Sequence, residues 1–147
     1  MRITDTREID APADVVWQLT LDVEQWPTLF PTVQHVQRLD DGPLRLGSSA
    51  RIKQPGQSPA VWTVTKLEQG SRFVWQTRRP GMLMVATHEI VDRQSPDGGT
   101  ACRNTLTLDL TGALGGLLGR LLRSRLSGVL ATENTGFRAA AERRTAS

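Results

Sequence analysis

Apolar and polar residues alternate from position 2 to 9, with Ile3 and Ile9 as anchors, which predicts an edge strand. The period then changes. Asp10-Ala11-Pro12-Ala13-Asp14 reads as a helix start, with Pro12 suited to the first helical position and Asp14 near the positive helix end. Val15, Val16, Leu19 and Val23 form its inward stripe, and Trp17 and Leu21 pair on a neighbouring face. A second short helix is expected over about 22–25, followed by an apolar corner from Trp26 to Pro31.

Six strands follow, over about 33–39, 48–54, 60–67, 72–78, 82–92 and 100–110. Between them stand Asp41-Gly42-Pro43, Pro55-Gly56, Gln69-Gly70, Pro80-Gly81 and Ser95-Pro96-Asp97-Gly98-Gly99. Breaks this short imply consecutive antiparallel hairpins. Alternation assigns Phe73, Trp75 and Thr77 to one face, with Trp62 and Val64, and with Cys102, Asn104, Leu106, Leu108 and Leu110. The even set Met84, Ala86, His88 and Ile90 is assigned to the concave side, although Leu83, Val85 and Val91 are apolar too. On the strand over 48–54, Ala50, Ile52 and Gln54 face inward and Arg51 is solvated.

A final helix over about 113–143 carries Leu114, Leu118, Leu121, Leu122, Val129 and Phe137 at helical spacing. Each interior glycine costs roughly 1 kcal/mol against alanine, so Gly115, Gly116 and Gly119 make its start weak and able to approach a strand closely. Residues 139–147 are expected to fray. A sheet with so little helix to cover it bends around this one helix. Such a grip leaves an interior gap suited to an apolar ligand.

Composition narrows the picture without naming a reaction. The 147 residues suit one domain, and 38% hydrophobic with 22% charged residues is ordinary for a soluble globular chain. The apolar stretch over 113–122 is interrupted by Arg120 and is about half the length of a membrane span, so no integral membrane association is expected. The start MRITDTREID has no signal-peptide character. The single cysteine, Cys102, rules out an intramolecular disulfide and makes a reducing cytoplasm the simplest setting. A net charge of +3 without a lysine/arginine run argues against nucleic-acid binding.

Candidate chemistry is sparse. His88-Glu89-Ile90-Val91-Asp92 has the first two letters of a metalloprotease box, but lacks the second histidine and the helix that motif needs. No metal site and no cofactor is expected. His88 is the best catalytic or ligand-contacting candidate, because a neutral imidazole in an apolar pocket can move a proton near pH 7. The alternative is that it bonds a neighbouring strand or faces solvent. Asn104, a polar residue among leucines, bonds either a ligand, His88 or water, with a structural pairing as the alternative. His35 reads as a rim or surface residue, and Cys102 as a small buried apolar one. With no tyrosine in the chain, no phenol serves acid–base work. Arg120, Arg123 and Arg125 beside leucines on the last helix could rest transiently on an anionic membrane; an ordinary solvated face is the alternative.

Ile9-Asp10-Ala11-Pro12-Ala13-Asp14-Val15-Val16-Trp17, the Trp26-Pro27 corner, Trp62-Thr63-Val64, Phe73-Val74-Trp75, Gly98-Gly99-Thr100 and the helix start over 112–122 form a recognisable set. Together they resemble the SRPBCC (START-like) superfamily, specifically its bacterial polyketide cyclase/dehydrase branch. The resemblance implies a single α+β helix-grip domain over 1–147. Its curved seven-stranded antiparallel sheet wraps around a long C-terminal helix, with two short helices after the first strand. It also implies a cavity for lipids, sterols, polyketides or hormones, and in a minority of members polyketide cyclisation and dehydration. Members with cyclase chemistry tend to use pocket tyrosines and arginines, and this chain has no tyrosine.

Residues expected to touch ligand are Trp17, Trp26, Phe30, Gln54, Trp62, Val64, Phe73, Trp75, Met84, His88, Asn104, Leu106, Leu118 and Leu122. The first reading is a carrier or sensor of a lipid-like or polycyclic aromatic molecule, acting as a monomer or homodimer. The second is an aromatase/cyclase working on a poly-β-keto chain with His88 as base. The third is an interaction module with a filled core.

Overall fold

Every strand expected from alternation is present in the computed structural model, which describes residues 1–146. In chain order these are β1 (Arg2–Ile9), β2 (His35–Arg38), β3 (Ser49–Lys53), β4 (Ala60–Glu68), β5 (Arg72–Arg79), β6 (Met82–Gln94) and β7 (Thr100–Thr111). They form one antiparallel sheet in the order β1-β7-β6-β5-β4-β3-β2, so a six-strand meander closes with β1 added at the far edge of β7. The β2–β3 pairing is short as a regular ladder but extends through Gln34 N–H to Lys53 O (2.8 Å) and Leu39 N–H to Ser49 O (2.9 Å). In β4, Val64 and Lys66 face consecutive residues of β5, leaving Thr65 as a bulge. A bulge increases local twist and bends the strand, which curves this half of the sheet.

The helices after β1 differ from expectation in detail. In α1 (Ala13–Leu21), Pro12 is the capping residue rather than the first helical one: it stays extended, and its carbonyl accepts the N–H of Val15 (3.1 Å). The buried face is Val16, Trp17, Leu19 and Thr20, with Val15 and Leu21 only partly covered. Thr20 fits there because its hydroxyl donates to Val16 O at 2.8 Å. A 3-10 turn (Val23–Gln25) leads directly into a helical turn, α2 (Trp26–Leu29), so the apolar corner is itself helical. Pro27 is tolerated because its missing N–H falls in the first turn, where no intrahelical partner exists. Trp26 is pinned by its indole N–H to Leu19 O at 3.1 Å.

The last helix, α3 (Gly115–Ala146), packs on β1, β7 and α1, and corrects two expectations. First, only part of the helically spaced set turns inward: Phe137 is buried and Val129 half-buried, whereas three leucines of the first turns stay outside. Leu114, Leu121 and Leu122 are 46%, 71% and 38% exposed, while Gly115, Gly119, Leu130, Asn134, Phe137, Ala140 and Ala141 are buried. Helical spacing permits either face to turn inward, and close approach of backbone decides it. A Cβ on Gly115 would lie 3.1 Å from the Leu110 carbonyl carbon, and one on Gly136 only 2.5 Å from the Leu29 oxygen. Second, the C-terminal segment does not fray over its described length. Ala140 and Ala141 are packed, and Glu142 accepts the Asp10 N–H at 2.9 Å, so the helix continues to Ala146.

Candidate ligand-binding site

Between the concave face and α3 lies a chamber of about 90 Å³. Ile52, Trp62, Trp75, Met84, Ala86, His88 and Leu108 form its sheet-side walls, with Trp26 of α2 and Leu126, Leu130 and Glu133 of α3 completing it. Above it runs an open groove of about 660 Å³, bounded by Pro55–Ser58 of the β3–β4 hairpin, Arg79 and Met82 of the β5–β6 hairpin, Thr32, and Leu122–Thr132 of α3. The two spaces share Gln54, Gln57, Met84, Leu126 and Val129, so the chamber is the floor of the groove. Small-molecule sites commonly span about 300–1,000 Å³. The chamber alone admits one small group; groove and chamber together have room for a lipid-like or polycyclic body.

The expected site residues divide by place. Trp26, Gln54, Trp62, Trp75, Met84 and His88 line the chamber, and Leu122 lines the groove. Phe30, Val64, Phe73 and Leu106 are buried in solid core behind the chamber wall. Trp17 borders a separate depression with Gly70, Asp92 and Thr100, and Leu118, half-buried on α3, lines neither space.

Asn104 is away from the chamber, and its partner is an asparagine on α3. Its Nδ2 donates to Asn134 Oδ1 at 2.8 Å, and Asn134 Nδ2 reaches Asn104 O (3.1 Å) and Asp5 Oδ2 (2.9 Å). Both side chains are fully buried. This is the structural pairing, with neither His88 nor a ligand position involved. The signal was Asn134 itself, a polar residue between Leu130 and Phe137 at helical spacing.

His88 is 4% exposed and held among aromatic rings: Trp26, Phe73 and Phe137 have centroids 5.4, 5.5 and 5.8 Å away. Its Nδ1 is buried with no hydrogen-bond partner. Burial pushes its pKa down to about 4, so the ring is neutral near pH 7, with one nitrogen donating and the other accepting. A buried polar atom without a partner is uncommon and calls for a reason.

Glu133 was not anticipated. It follows Leu126 and Leu130 on the stripe that turns inward, and that spacing was its available signal. Thr32 Oγ1 donates to its carboxylate at 3.0 Å, which favours the charged form, but burial outweighs this and pushes the pKa up to about 7. One apolar chamber thus presents a neutral imidazole and a carboxyl that titrates near neutrality.

The family model described as polyketide cyclase / dehydrase and lipid transport matches residues 1–142. The chain belongs to this family. It carries the helix-grip fold of the SRPBCC superfamily. An aromatase/cyclase from Streptomyces sp. R1128 superposes with a TM-score of 0.68 at 19% identity, covering 99% of this chain and 93% of that one. Norcoclaurine synthase from Thalictrum flavum gives 0.70 at 16%, covering 94% and 91%. A hypothetical protein of Helicobacter pylori gives 0.78 at 11%, covering 96% and 88%. These likenesses establish the fold. A search of curated proteins finds no match.

In this member of the polyketide cyclase/dehydrase family, the remaining candidates are structural or peripheral. Along β6, His88 and Ile90 point inward, whereas Glu89 pairs with Arg72 on the half-exposed face and Asp92 is solvated. Successive strand residues diverge, so the His-Glu pair shares no face. No three metal-ligating side chains converge among the described residues. Cys102 is fully buried, and burial raises its pKa to about 11, so it packs as a small apolar residue. His35 is exposed on edge strand β2. Among the described residues, no helix is long and apolar enough to cross a membrane.

Proposed function

We propose that this family member binds an apolar small molecule carrying one hydrogen-bonding group, as a carrier or sensor. The observation supporting this is the His88 ring on the chamber wall, neutral, buried and unpartnered at Nδ1. The ligand's polar group pairs with the imidazole, and its body fills the groove against Met84, Leu126 and Val129. Ala86→Phe places a ring of about the chamber's size inside it. Denying the ligand ~60 Å² of apolar burial at about 25 cal/mol per Å² weakens binding about tenfold. Native mass spectrometry of freshly purified protein identifies the ligand class, and thermal shifts with that class then compare Ala86→Phe with wild type. Equal shifts for both would rule the chamber out as the site.

A second reading, cyclisation or dehydration of a poly-β-keto chain, draws support from Glu133. Its carboxyl is poised to hand a proton to a carbonyl oxygen near pH 7, where general acids work best. His88 is poorly matched to the base role, because an imidazole whose conjugate acid titrates near 4 takes up a proton reluctantly. Binding is therefore the favoured reading.

Transient contact with an anionic membrane belongs to the same proposal. From 110 to 132 the chain has no carboxylate, and Arg120, Arg123 and Arg125 lie there beside exposed Leu114, Leu117 and Leu121. Basic residues near an anionic bilayer each contribute about 1 kcal/mol, screened by salt. Co-sedimentation with phosphatidylserine vesicles at low salt, its loss on pure phosphatidylcholine, and its loss in Leu117→Ser/Leu121→Ser are the expected results. Indifference to both changes would remove the membrane from the proposal.

A further inference from the structure

The groove above the chamber is unevenly charged. Two guanidinium groups, Arg79 from the β5–β6 hairpin and Arg125 from α3, stand on its walls, and among the described residues no carboxylate lines it. Arg79 is anchored at the rim: its Nη2 donates to Ser58 O at 2.8 Å, which leaves its other N–H groups free to face the groove. Arg125 makes no ion pair or hydrogen bond with the described residues. The carboxyl closest along the helix, Glu133, lies in the chamber below and is held by Thr32. The site is thus graded, with an apolar floor carrying His88 and a cationic rim.

We propose that Arg79 and Arg125 form an anion subsite, and that the ligand is an amphiphilic anion. Its carboxylate or phosphate head rests on the two guanidiniums, and its apolar body descends toward His88. This inference rests on the binding reading above and adds the head group to it. The physical case is complementarity. Arginine presents a planar fork matched to carboxylate and phosphate oxygens, and two forks from different elements fix the head from both sides. An exposed ion pair is worth little, but a groove floored by Met82, Met84 and Leu126 lowers the local dielectric and strengthens it. A neutral amphiphile gains nothing from the rim.

The test uses the full-length protein and three matched probes, dodecanoate, dodecyl phosphate and dodecan-1-ol, followed by isothermal titration at low salt. Wild type is expected to bind an anionic probe at least ~10-fold more tightly than the alcohol. That preference should fall ~10-fold in Arg125→Gln and in Arg79→Gln, and weaken as salt is raised. Arg51→Gln, exposed on β3 and outside the groove, is expected to match wild type. The stronger of the two anions identifies the head group as carboxylate or phosphate. If anions and alcohol bind alike, or the preference survives Arg79→Gln/Arg125→Gln, the subsite is overturned while the apolar site stands. If none of the three probes binds, the amphiphilic-anion proposal is overturned, and the apolar site is judged separately by the Ala86→Phe comparison.

Discussion

Replacing Asn134 by alanine is expected to lower the unfolding free energy by about 3 kcal/mol, and the melting temperature by about 10 °C. Asn134 joins three elements at one buried point. It accepts from Asn104 of β7 (2.8 Å), donates to Asp5 Oδ2 and O of β1 (2.9 and 3.2 Å), and sits on α3 between Leu130 and Phe137. The Oδ1 of Asn104 already lacks a partner, so the truncation leaves that whole amide unpaired in the core. An orphaned buried amide costs about 1–3 kcal/mol, and a residual cavity adds to it. Replacing both partners removes the stranded group, so Asn104→Leu/Asn134→Leu is expected to lose less than the two single substitutions combined. Chemical denaturation of the four proteins checks this. A loss below about 0.5 kcal/mol for Asn134→Ala would show the pair to be incidental.

The second large effect is in the pH dependence of stability, where two chamber groups oppose one another. Burial lowers the His88 pKa from its ordinary 6.5 to about 4, so the unfolded chain binds more protons and stability is lost as pH falls from 6.5 toward 4. Burial raises the Glu133 pKa from 4.5 to about 7, so the folded chain binds more protons and stability is lost as pH rises from 4.5 toward 7. Each slope reaches at most ~1.4 kcal/mol per pH unit. Between about 4.5 and 6.5 they cancel, and this pair leaves the wild-type profile flat. Glu133→Gln unmasks the histidine, and stability then falls toward acid. His88→Phe unmasks the carboxyl, and stability then falls toward neutrality. Denaturant unfolding at three pH values across the window distinguishes them. Profiles parallel to wild type in both variants would mean that these groups titrate normally.

Both predictions depend on which residues meet across the fold, and the sequence was unevenly informative there. Strand faces were legible because a strand has a period of two and a shift of one residue would expose its whole apolar set. Phe73, Trp75 and Thr77 on β5 and Leu106, Leu108 and Leu110 on β7 accordingly lie inward. Even β6, apolar on both faces, turns His88 and Ile90 inward. The inward face of α3 was legible only in part, through Val129 and Phe137. Two leucine sets compete along it, and the conspicuous one, Leu114, Leu121 and Leu122, stays outside. Glycines and alanines share the contact with Leu130, Asn134 and Phe137, and hydrophobicity is a poor guide where close backbone approach chooses the surface. Misreading that face hid Leu126, Leu130, Glu133 and Asn134 together, because they share one stripe.

What the chain determined by itself is local and periodic: seven strands, their hairpin order, the inward strand faces, and a long closing helix held to the sheet through glycines. These follow from alternation and turn chemistry, each set within a few residues. The rotation of α3 about its axis was decided only by tertiary packing, at Gly115 against Leu110 and Gly136 against Leu29. That rotation brings Glu133 to the chamber that His88 also lines, gives Asn104 its partner, and leaves Arg125 on the groove wall. Helical periodicity restricts the candidate faces but does not choose among them, since the choice depends on contacts between residues as much as a hundred positions apart.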